Sequence, residues 1–174
     1  MSRLVIVTAT TNPTRALDCL RSWGDAPIVA VANNCDPHSP PFPWLGAAPI
    51  SWLTSDTYLG TVPAFRTGVD FALRHTDAEV IACLHDDVEI LAGDWAERVL
   101  RHFDRQPACG LAGFGGALGL GSGDLYQTPY HPMQLARQGF RSNMRDAEAH
   151  GSRSLFSEQV SWLDGLSQIG RREF

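Results

Sequence analysis

Two adjacent carboxylates are the clearest chemical signal in the sequence. Asp86 and Asp87 come one residue after the apolar run Glu79–Leu84, with His85 in between. Like charges placed side by side are unfavourable unless a cation or a hydrogen-bond donor compensates them. A hard divalent cation that also binds phosphate oxygens is the natural partner of such a pair. The segment therefore predicts a metal and phosphate site, with a solvated loop whose acids cap a helix as the alternative.

The elements around this pair alternate between strand and helix. Short apolar runs predict strands over Leu4–Ala9, Ile28–Ala32, Pro49–Leu53, Glu79–Leu84 and Cys109–Phe114. Helical stripes predict helices from Pro13 to about Trp23, from Thr61 onward, and after Gly93 and Asp94. This alternation indicates an α/β fold: a single doubly wound, mostly parallel sheet flanked by helices. Open sheets of this kind bind ligands at their carboxyl edge, where Asp86 and Asp87 are expected.

The regular pattern ends after the fifth predicted strand. Gly115–Gly123 is rich in glycine, and Asp124–Ser154 is polar with only a weak helical stripe. We expect a hinge there, followed by a mobile loop or lid over about residues 119–154. The glycines do not keep the spacing of a dinucleotide-binding fingerprint, and the first strand–helix turn contains none. No internal repeat is visible, so we predict one domain over residues 1–174.

Composition excludes several function classes. The chain has 174 residues, 44% of them hydrophobic and 19% charged, which suits one globular domain and excludes a disordered chain. Its formal net charge of −5 argues against a nucleic-acid groove or a polybasic membrane surface. All fourteen basic residues are arginine. A P-loop lysine, a Schiff-base lysine and a lysine general base are therefore excluded.

Cysteine usage and hydropathy indicate the compartment. The four cysteines are scattered and show neither a C-x-x-C pair nor a zinc-ligand spacing. No stretch approaches the ~20 apolar residues that a membrane span needs. The apolar run near the N-terminus is too short for a signal peptide. We expect a reduced, cytoplasmic protein without a transmembrane segment.

Four segments, in order along the chain, resemble the family 2 glycosyltransferases. The first is VIVTATTNPTRALDCLRSW, similar to the family's opening strand and helix. Tyr58–Gly60 with PAFRTG is similar to the family's "N-x-G…a-x-N-x-G" segment. LHDDV resembles its D-x-D segment, with His85 in place of the first acid. Val160–Gly165, followed by Arg171 and Arg172, resembles the segment that carries the acceptor-side acid.

The resemblance implies a GT-A, Rossmann-like fold and a metal-dependent inverting glycosyltransferase. Such an enzyme moves a sugar from a nucleotide-diphosphate donor to an acceptor hydroxyl. It implies that Asp87 ligates Mg²⁺ or Mn²⁺ at the diphosphate, and that Asp164 is the general base. The resemblance also implies a set of residues for the nucleotide sugar: Thr8, Ala9, Thr10 and Asn33 at the base and ribose, Asp86 at the ribose or sugar, and Gly60 and Arg66.

Two other readings stay open beside this one. His85 in the acidic segment, and an end of the chain soon after Asp164, favour a catalytically silent sugar-nucleotide-binding or scaffold domain. A nucleotidyltransferase needs a basic phosphate loop near the first strand, where only Arg15 is available. The acceptor site is expected to be incomplete, minimal or supplied by another subunit of a homo-oligomer. His131 or His150 could join the metal site, although a surface position is the simpler expectation. The sequence specifies neither the donor's sugar and base nor the acceptor, which could be a glycan, a lipid-linked sugar or a small molecule.

Overall fold

The computed structural model describes residues 2–34, 44–45, 48–117, 140–142, 152–153, 159, 162–163 and 167–173. Its helices are α1 (Pro13–Ser22), α2 (Thr61–His75) and α3 (Trp95–Arg105). Its strands are β1 (Leu4–Thr10), β2 (Ile28–Asn33), β3 (Trp44–Leu45), β4 (Ala48–Ser55), β5 (Val80–Leu84), β6 (Leu111–Ala112), β7 (Gly115–Ala117), β8 (Phe140–Ser142), β9 (Ser152–Arg153), β10 (Trp162–Leu163) and β11 (Ser167–Arg171).

The main sheet has seven strands in the order β3-β4-β2-β1-β5-β11-β6. Strands β4, β2, β1 and β5 are parallel neighbours, and β3 pairs antiparallel with β4. The central strands β1 and β2 are buried almost throughout, which is why both are continuous apolar runs. The predicted doubly wound α/β class is confirmed.

Helix α2 packs tightly against β1 and β2 because Gly68 has no side chain. A Cβ at Gly68 would lie 2.5 Å from Val7 Cγ1 and 3.3 Å from Val31 Cγ2. The cluster on this side of the sheet is entirely small or branched: Val5, Val7, Val29, Ala72, Ala78 and Ile81. Since side chains alternate along a strand, Thr8 and Thr10 belong to the opposite side of the sheet from Val7.

Helix α1 begins and ends with interactions that its sequence predicts. The side chain of Asn12 accepts a hydrogen bond from the backbone nitrogen of Arg15 at 3.1 Å, and Pro13 is the first helical residue. Ala16, Leu17 and Leu20 form its buried stripe. The indole of Trp23, directly after the helix, is fully buried.

The chain divides into two compact units, Met1–Leu111 with Ile169–Phe174, and Ala112–Gln168. In the second unit, β7 pairs antiparallel with both β10 and β8, and β8 pairs parallel with β9. There the backbone nitrogen of Phe114 donates to Ser167 Oγ at 2.8 Å. The single domain over residues 1–174 stays a prediction.

The sequence-based element assignment differs from the structure in its later strands. The fifth strand, predicted over Cys109–Phe114, covers only Leu111–Ala112, and the glycine run contains β7. Strand β11 was not predicted, because Ile169 is its single buried apolar residue. The lid predicted over residues 119–154 stays a prediction, since only β8 and β9 of that segment belong to the described residues.

Candidate functional site

The strand order places a topological switch point at the carboxyl edge of the main sheet, between β1 and β5. Strands β1 and β5 are parallel neighbours, but the chain leaves them in opposite directions: β1 leads to β2 on one side, and β5 leads through α3 to β6 on the other. In open α/β sheets, ligands bind outside the carboxyl ends of strands at such a switch point. Here the two strands end at Thr10 and Leu84.

The carboxylate pair lies in a tight turn that directly follows β5 at this edge. The backbone nitrogen of Val88 donates to the carbonyl oxygen of His85 at 3.1 Å and closes the turn. Asp86 is half-buried and Asp87 is exposed. Across the described parts of the chain, neither acid forms an ion pair with an arginine. Both carboxylates are therefore available to a ligand from solution.

The segment after the turn is fastened to the end of α1 by three long-range hydrogen bonds. Trp23 Nε1 donates to the carbonyl oxygen of Val88 at 2.7 Å, and the nitrogen of Ile90 donates to Ser22 Oγ at 2.8 Å. Trp95 Nε1 donates to the carbonyl oxygen of Trp23 at 2.9 Å. These contacts fix the chain that follows Asp87, so the acid turn is held in place before any ligand arrives.

The acids create a negative field that reaches α1. The pKa of the Cys19 thiol is raised first by its partial burial and then by the charges of Asp87, Glu89 and Asp86. Like charges at short range disfavour the thiolate, which is the cause of the second contribution. The same field attracts a cation to the acid turn.

His85 is part of the same turn but has a different environment. Its ring stacks on Phe65 of α2, with ring centroids 5.6 Å apart and planes inclined by 25°. Within the described residues, no three histidine, cysteine or acidic side chains converge on one metal position. Among the described residues, Asp86 and Asp87 thus offer a cation two carboxylates, which phosphate and water oxygens can complement.

On the other side of β1, Asn33 holds the loop that leads into α2. Its side chain is 3% exposed. Asn33 Oδ1 accepts from the nitrogen of Leu59 at 2.8 Å, and Nδ2 donates to the carbonyl oxygen of Gly60 at 3.5 Å. Gly60 has φ +81°, a conformation that favours glycine, and α2 starts directly after it.

The end of β1 presents little side-chain polarity to a ligand. The Thr8 side chain is fully buried, and within the described residues its Oγ1 has no hydrogen-bond partner. Thr10 is also buried, and its Oγ1 accepts from the nitrogen of Asn12 at 2.9 Å. Ala9 is partly exposed between them. The surface that the end of β1 offers is therefore mainly Ala9 and backbone.

The remaining predicted site residues are separated from this group or lie outside the description. Arg66 is exposed on α2, one residue after Phe65. Asp164, His131 and His150 lie outside the described residues. The structure brings the ends of β1, β2 and β5 and the start of α2 to one edge of the sheet, with Thr10, Asn33, Gly60, Asp86 and Asp87 at or next to these ends.

Arg171 and Arg172, which belong to the fourth resembling segment, bind helix ends instead of this edge. The Arg171 guanidinium donates to the carbonyl oxygens of Phe103 at 2.5 Å and Cys109 at 3.0 Å. The Arg172 guanidinium donates to the carbonyl oxygens of Leu73, at 2.5 Å, and Thr76. Cations at helix C-termini are favourable because they meet the unpaired carbonyl groups. Both arginines stabilise the fold.

No family model and no curated protein matches the sequence. Similar solved structures include the mannosyltransferase PcManGT from Pyrobaculum calidifontis in complex with GDP-Man and Mn²⁺, with a TM-score of 0.54 and 12% identity over 98% of this chain and 45% of that one. TarS 1-349 from S. aureus gives 0.50 and 10% identity over 99% and 47%. CMP:2-keto-3-deoxy-manno-octonic acid synthetase with CTP gives 0.51 and 15% identity over 99% and 75%.

The chain has the GT-A fold. Glycosyltransferases and a nucleotidyltransferase share it, and the chain spans about half the length of the first two of these structures. At such identities the similarity establishes the fold alone. Within the described residues, no helix combines the length and the apolar character that crossing a membrane requires.

Two features of the site were not visible in the sequence. Trp23 reads as the last residue of an apolar helix stripe, yet its indole nitrogen fixes the carbonyl group of Val88, 65 residues away. Asn33 reads as a ligand at the end of a strand, yet both ends of its amide bind the backbone of another loop. A polar or indole side chain at the end of an apolar run is the one local signal, and it does not specify the partner.

Proposed function

We propose that this chain is a metal-dependent, inverting glycosyltransferase domain that moves a sugar from a nucleotide-diphosphate donor to an acceptor hydroxyl. The observation that carries the proposal is the Asp86–Asp87 turn, which has no ionic partner among the described residues and follows β5 at the switch point between β1 and β5. The GT-A fold supports it, because other proteins of that fold are glycosyltransferases. The acceptor is a hydroxyl group on a glycan, a lipid-linked sugar or a small molecule.

The acid turn fits a divalent cation that a diphosphate helps to bind. Mg²⁺ prefers six oxygen ligands and is usually held by one or two carboxylates together with phosphates and water. Asp87 is exposed and can ligate such an ion. Asp86 is half-buried, and we assign it to a hydroxyl of the ribose or the sugar. When bound, the cation neutralises negative charge on the leaving nucleoside diphosphate. Mn²⁺ suits the same oxygen ligands.

We assign donor binding and proton transfer to residues of the chain itself. Ala9 and the backbone at the end of β1 lie beside the nucleoside, with Gly60 and Arg66 toward the rest of the donor. Asp164 takes the proton of the acceptor hydroxyl as its oxygen bonds to the anomeric carbon and the bond to the diphosphate breaks. One direct displacement inverts the configuration at that carbon. A general base of this kind typically contributes ~10²–10⁴-fold to the rate.

A catalytically silent sugar-nucleotide-binding domain is the second candidate. It is favoured by the environment of His85, whose ring stacks on Phe65 in the position where the family has its first acid. Such a domain needs the donor site but neither a general base nor turnover.

Two measurements test the proposal. Titration calorimetry with GDP and UDP, each in Mn²⁺ and in EDTA, is expected to show binding that depends on the cation; equal affinity in both conditions rejects the metal role. Hydrolysis of GDP- and UDP-sugars is then compared for the wild type and Asp164→Asn. We expect ~10²–10⁴-fold slower hydrolysis with unchanged donor binding. Cation-dependent binding without any turnover favours the silent domain, and equal hydrolysis by both proteins removes Asp164 as the base.

A further inference from the structure

Asn33 occupies the end of β2, where the family resemblance implies a contact with the nucleoside. The structure shows a side chain that is 3% exposed and engaged at both ends by backbone groups of the protein. We propose that Asn33 is a positioning residue, which holds the loop 58–60 and the start of α2, and that it does not touch the nucleoside. The effect on nucleotide binding rests on the proposed function.

The geometry of the amide supports this role. The carbonyl oxygen of Asn33 accepts the backbone N–H of Leu59 at 2.8 Å, a strong contact across 26 residues of sequence. Its nitrogen faces the carbonyl oxygen of Gly60 at 3.5 Å, a weak contact. The asymmetry makes acceptance from Leu59 the main part of the interaction. Leu59 is partly buried. A backbone donor that loses its acceptor where water has limited access is destabilised, so the loop depends on this side chain.

The neighbouring contacts define what Asn33 holds. Gly60 precedes α2 and, as a glycine, provides no side-chain cap to that helix. The backbone nitrogen of Asn34 donates to the carbonyl oxygen of Ser55 at 2.9 Å and joins the ends of β2 and β4. The loop between Ser55 and Gly60 is therefore attached at its start by the strand ends and at its end by Asn33.

Exposed side chains lie in and beside the loop that Asn33 holds. Tyr58, next to Leu59, is 62% exposed, and Val62, two residues after Gly60 in the first turn of α2, is 78% exposed. The Asn33 side chain itself is 3% exposed. A ligand from solution therefore reaches the exposed side chains of this segment more readily than the Asn33 amide. Asn33 acts on binding through the loop.

Amide hydrogen exchange and nucleotide titration on the same variants test the proposal. In Asn33→Ala, the Leu59 amide is expected to exchange at least about tenfold faster, because its buried acceptor is gone. Binding of GDP or UDP with Mn²⁺ is expected to weaken by about tenfold. Asn33→Asp keeps an oxygen acceptor for Leu59, so the protection of that amide is expected to return toward the wild-type value. If Asn33→Ala does not fold, Asn33→Ser, too short to reach Leu59, takes its place.

Thr76→Ala is the matched control. The Thr76 hydroxyl also binds backbone groups, donating to the carbonyl oxygen of Ala72 and accepting from the nitrogen of Ala78, but at the far end of α2. This variant is expected to lower the melting temperature without changing Leu59 exchange or nucleotide affinity. Equal weakening of nucleotide binding by both variants would mean general destabilisation and would overturn the positioning role.

The remaining outcomes separate the two proposals. If Asn33→Ala weakens nucleotide binding while Leu59 stays protected, Asn33 is a direct ligand and the inference is wrong. If the wild type binds neither nucleotide, the proposed function fails, and the exchange rate of Leu59 alone decides whether Asn33 holds the loop. Unchanged exchange in that case overturns the inference as well.

Discussion

The charged side chains at the two edges of the parallel strands β4, β2, β1 and β5 differ in their partners. At the amino edge, Arg3 binds Glu79 at 2.8 Å and Asp104 at 2.7 Å, and Arg172 donates to carbonyl oxygens at the end of α2. At the carboxyl edge, Asp86 and Asp87 form no ion pair within the described residues. Within the described residues, Arg3 thus pairs with two carboxylates at the amino edge, while Asp86 and Asp87 at the carboxyl edge have no ion pair.

This difference separates charge that stabilises the fold from charge that is available to a ligand. At the amino edge, the guanidinium groups of Arg3 and Arg172 compensate carboxylates and helix carbonyl groups. At the carboxyl edge, the hydrogen bonds come from neutral side chains. Trp23 and Ser22 bind the chain after the acid turn, and Asn33 binds the loop before α2. Neutral hydrogen bonds position the acids without cancelling their charge.

The largest expected effect comes from truncating one aspartate at each edge. Asp87→Ala is expected to weaken Mn²⁺-dependent binding of GDP or UDP by at least about tenfold, since even groups that only support a metal ligand are worth ~10–100-fold in metal affinity. Asp104→Ala is expected to leave that binding unchanged and to lower the melting temperature instead. Calorimetry in Mn²⁺ and EDTA, with thermal melts of both variants, measures the contrast. Equal effects of both variants on binding would remove the distinction between the edges.

A moderate effect on the free energy of unfolding is expected from a substitution between α2 and the sheet. Gly68→Ala places a Cβ 2.5 Å from Val7 Cγ1 and is expected to cost ~1–3 kcal/mol of unfolding free energy. Gly93→Ala, whose added Cβ would meet nothing within 4 Å, is expected to stay within about 0.5 kcal/mol. Chemical denaturation measures both. Gly68→Ala changes packing and leaves the charges at both edges in place. Nucleotide binding by this variant is therefore expected to depend on Mn²⁺ as in the wild type. Loss of that dependence would contradict the comparison.

The smallest effect concerns pH at the amino edge. The hydrogen bond from Arg3 holds the pKa of Asp104 below its usual value. A carboxylate whose pKa is lowered by folding adds stability above its unfolded pKa of about 3.9 and loses it as pH falls through the folded value. Arg3→Gln is therefore expected to lower the melting temperature slightly at neutral pH, with a difference from wild type that shrinks below pH about 4. A difference that grows on acidification would contradict this role of Arg3, since exposed pairs contribute little and only while charged.

The parts of the fold that the sequence predicted are those with a continuous pattern. Strands β1 and β2 are unbroken apolar runs, and α1 has its cap and stripe within eleven residues, so local sequence specifies them. Strand β11 carries one buried apolar residue and lies in the main sheet through its neighbours β5 and β6. Its position depends on hydrogen bonds to distant strands, which no local pattern contains.

The same division applies to the candidate site. The sequence alone indicated that Asp86 and Asp87 follow a buried strand at the carboxyl edge of the sheet, while the family resemblance implied Thr10 and Asn33 as further site residues. Whether a polar side chain at that edge faces a ligand or the protein was decided only by tertiary structure. Thr8 and Asn33 are buried, and Asn33 binds the backbone of Leu59, because the path of a later loop brings an N–H group within 2.8 Å of it. Strand polarity is a local property, while the partner of a buried amide depends on where the rest of the chain packs.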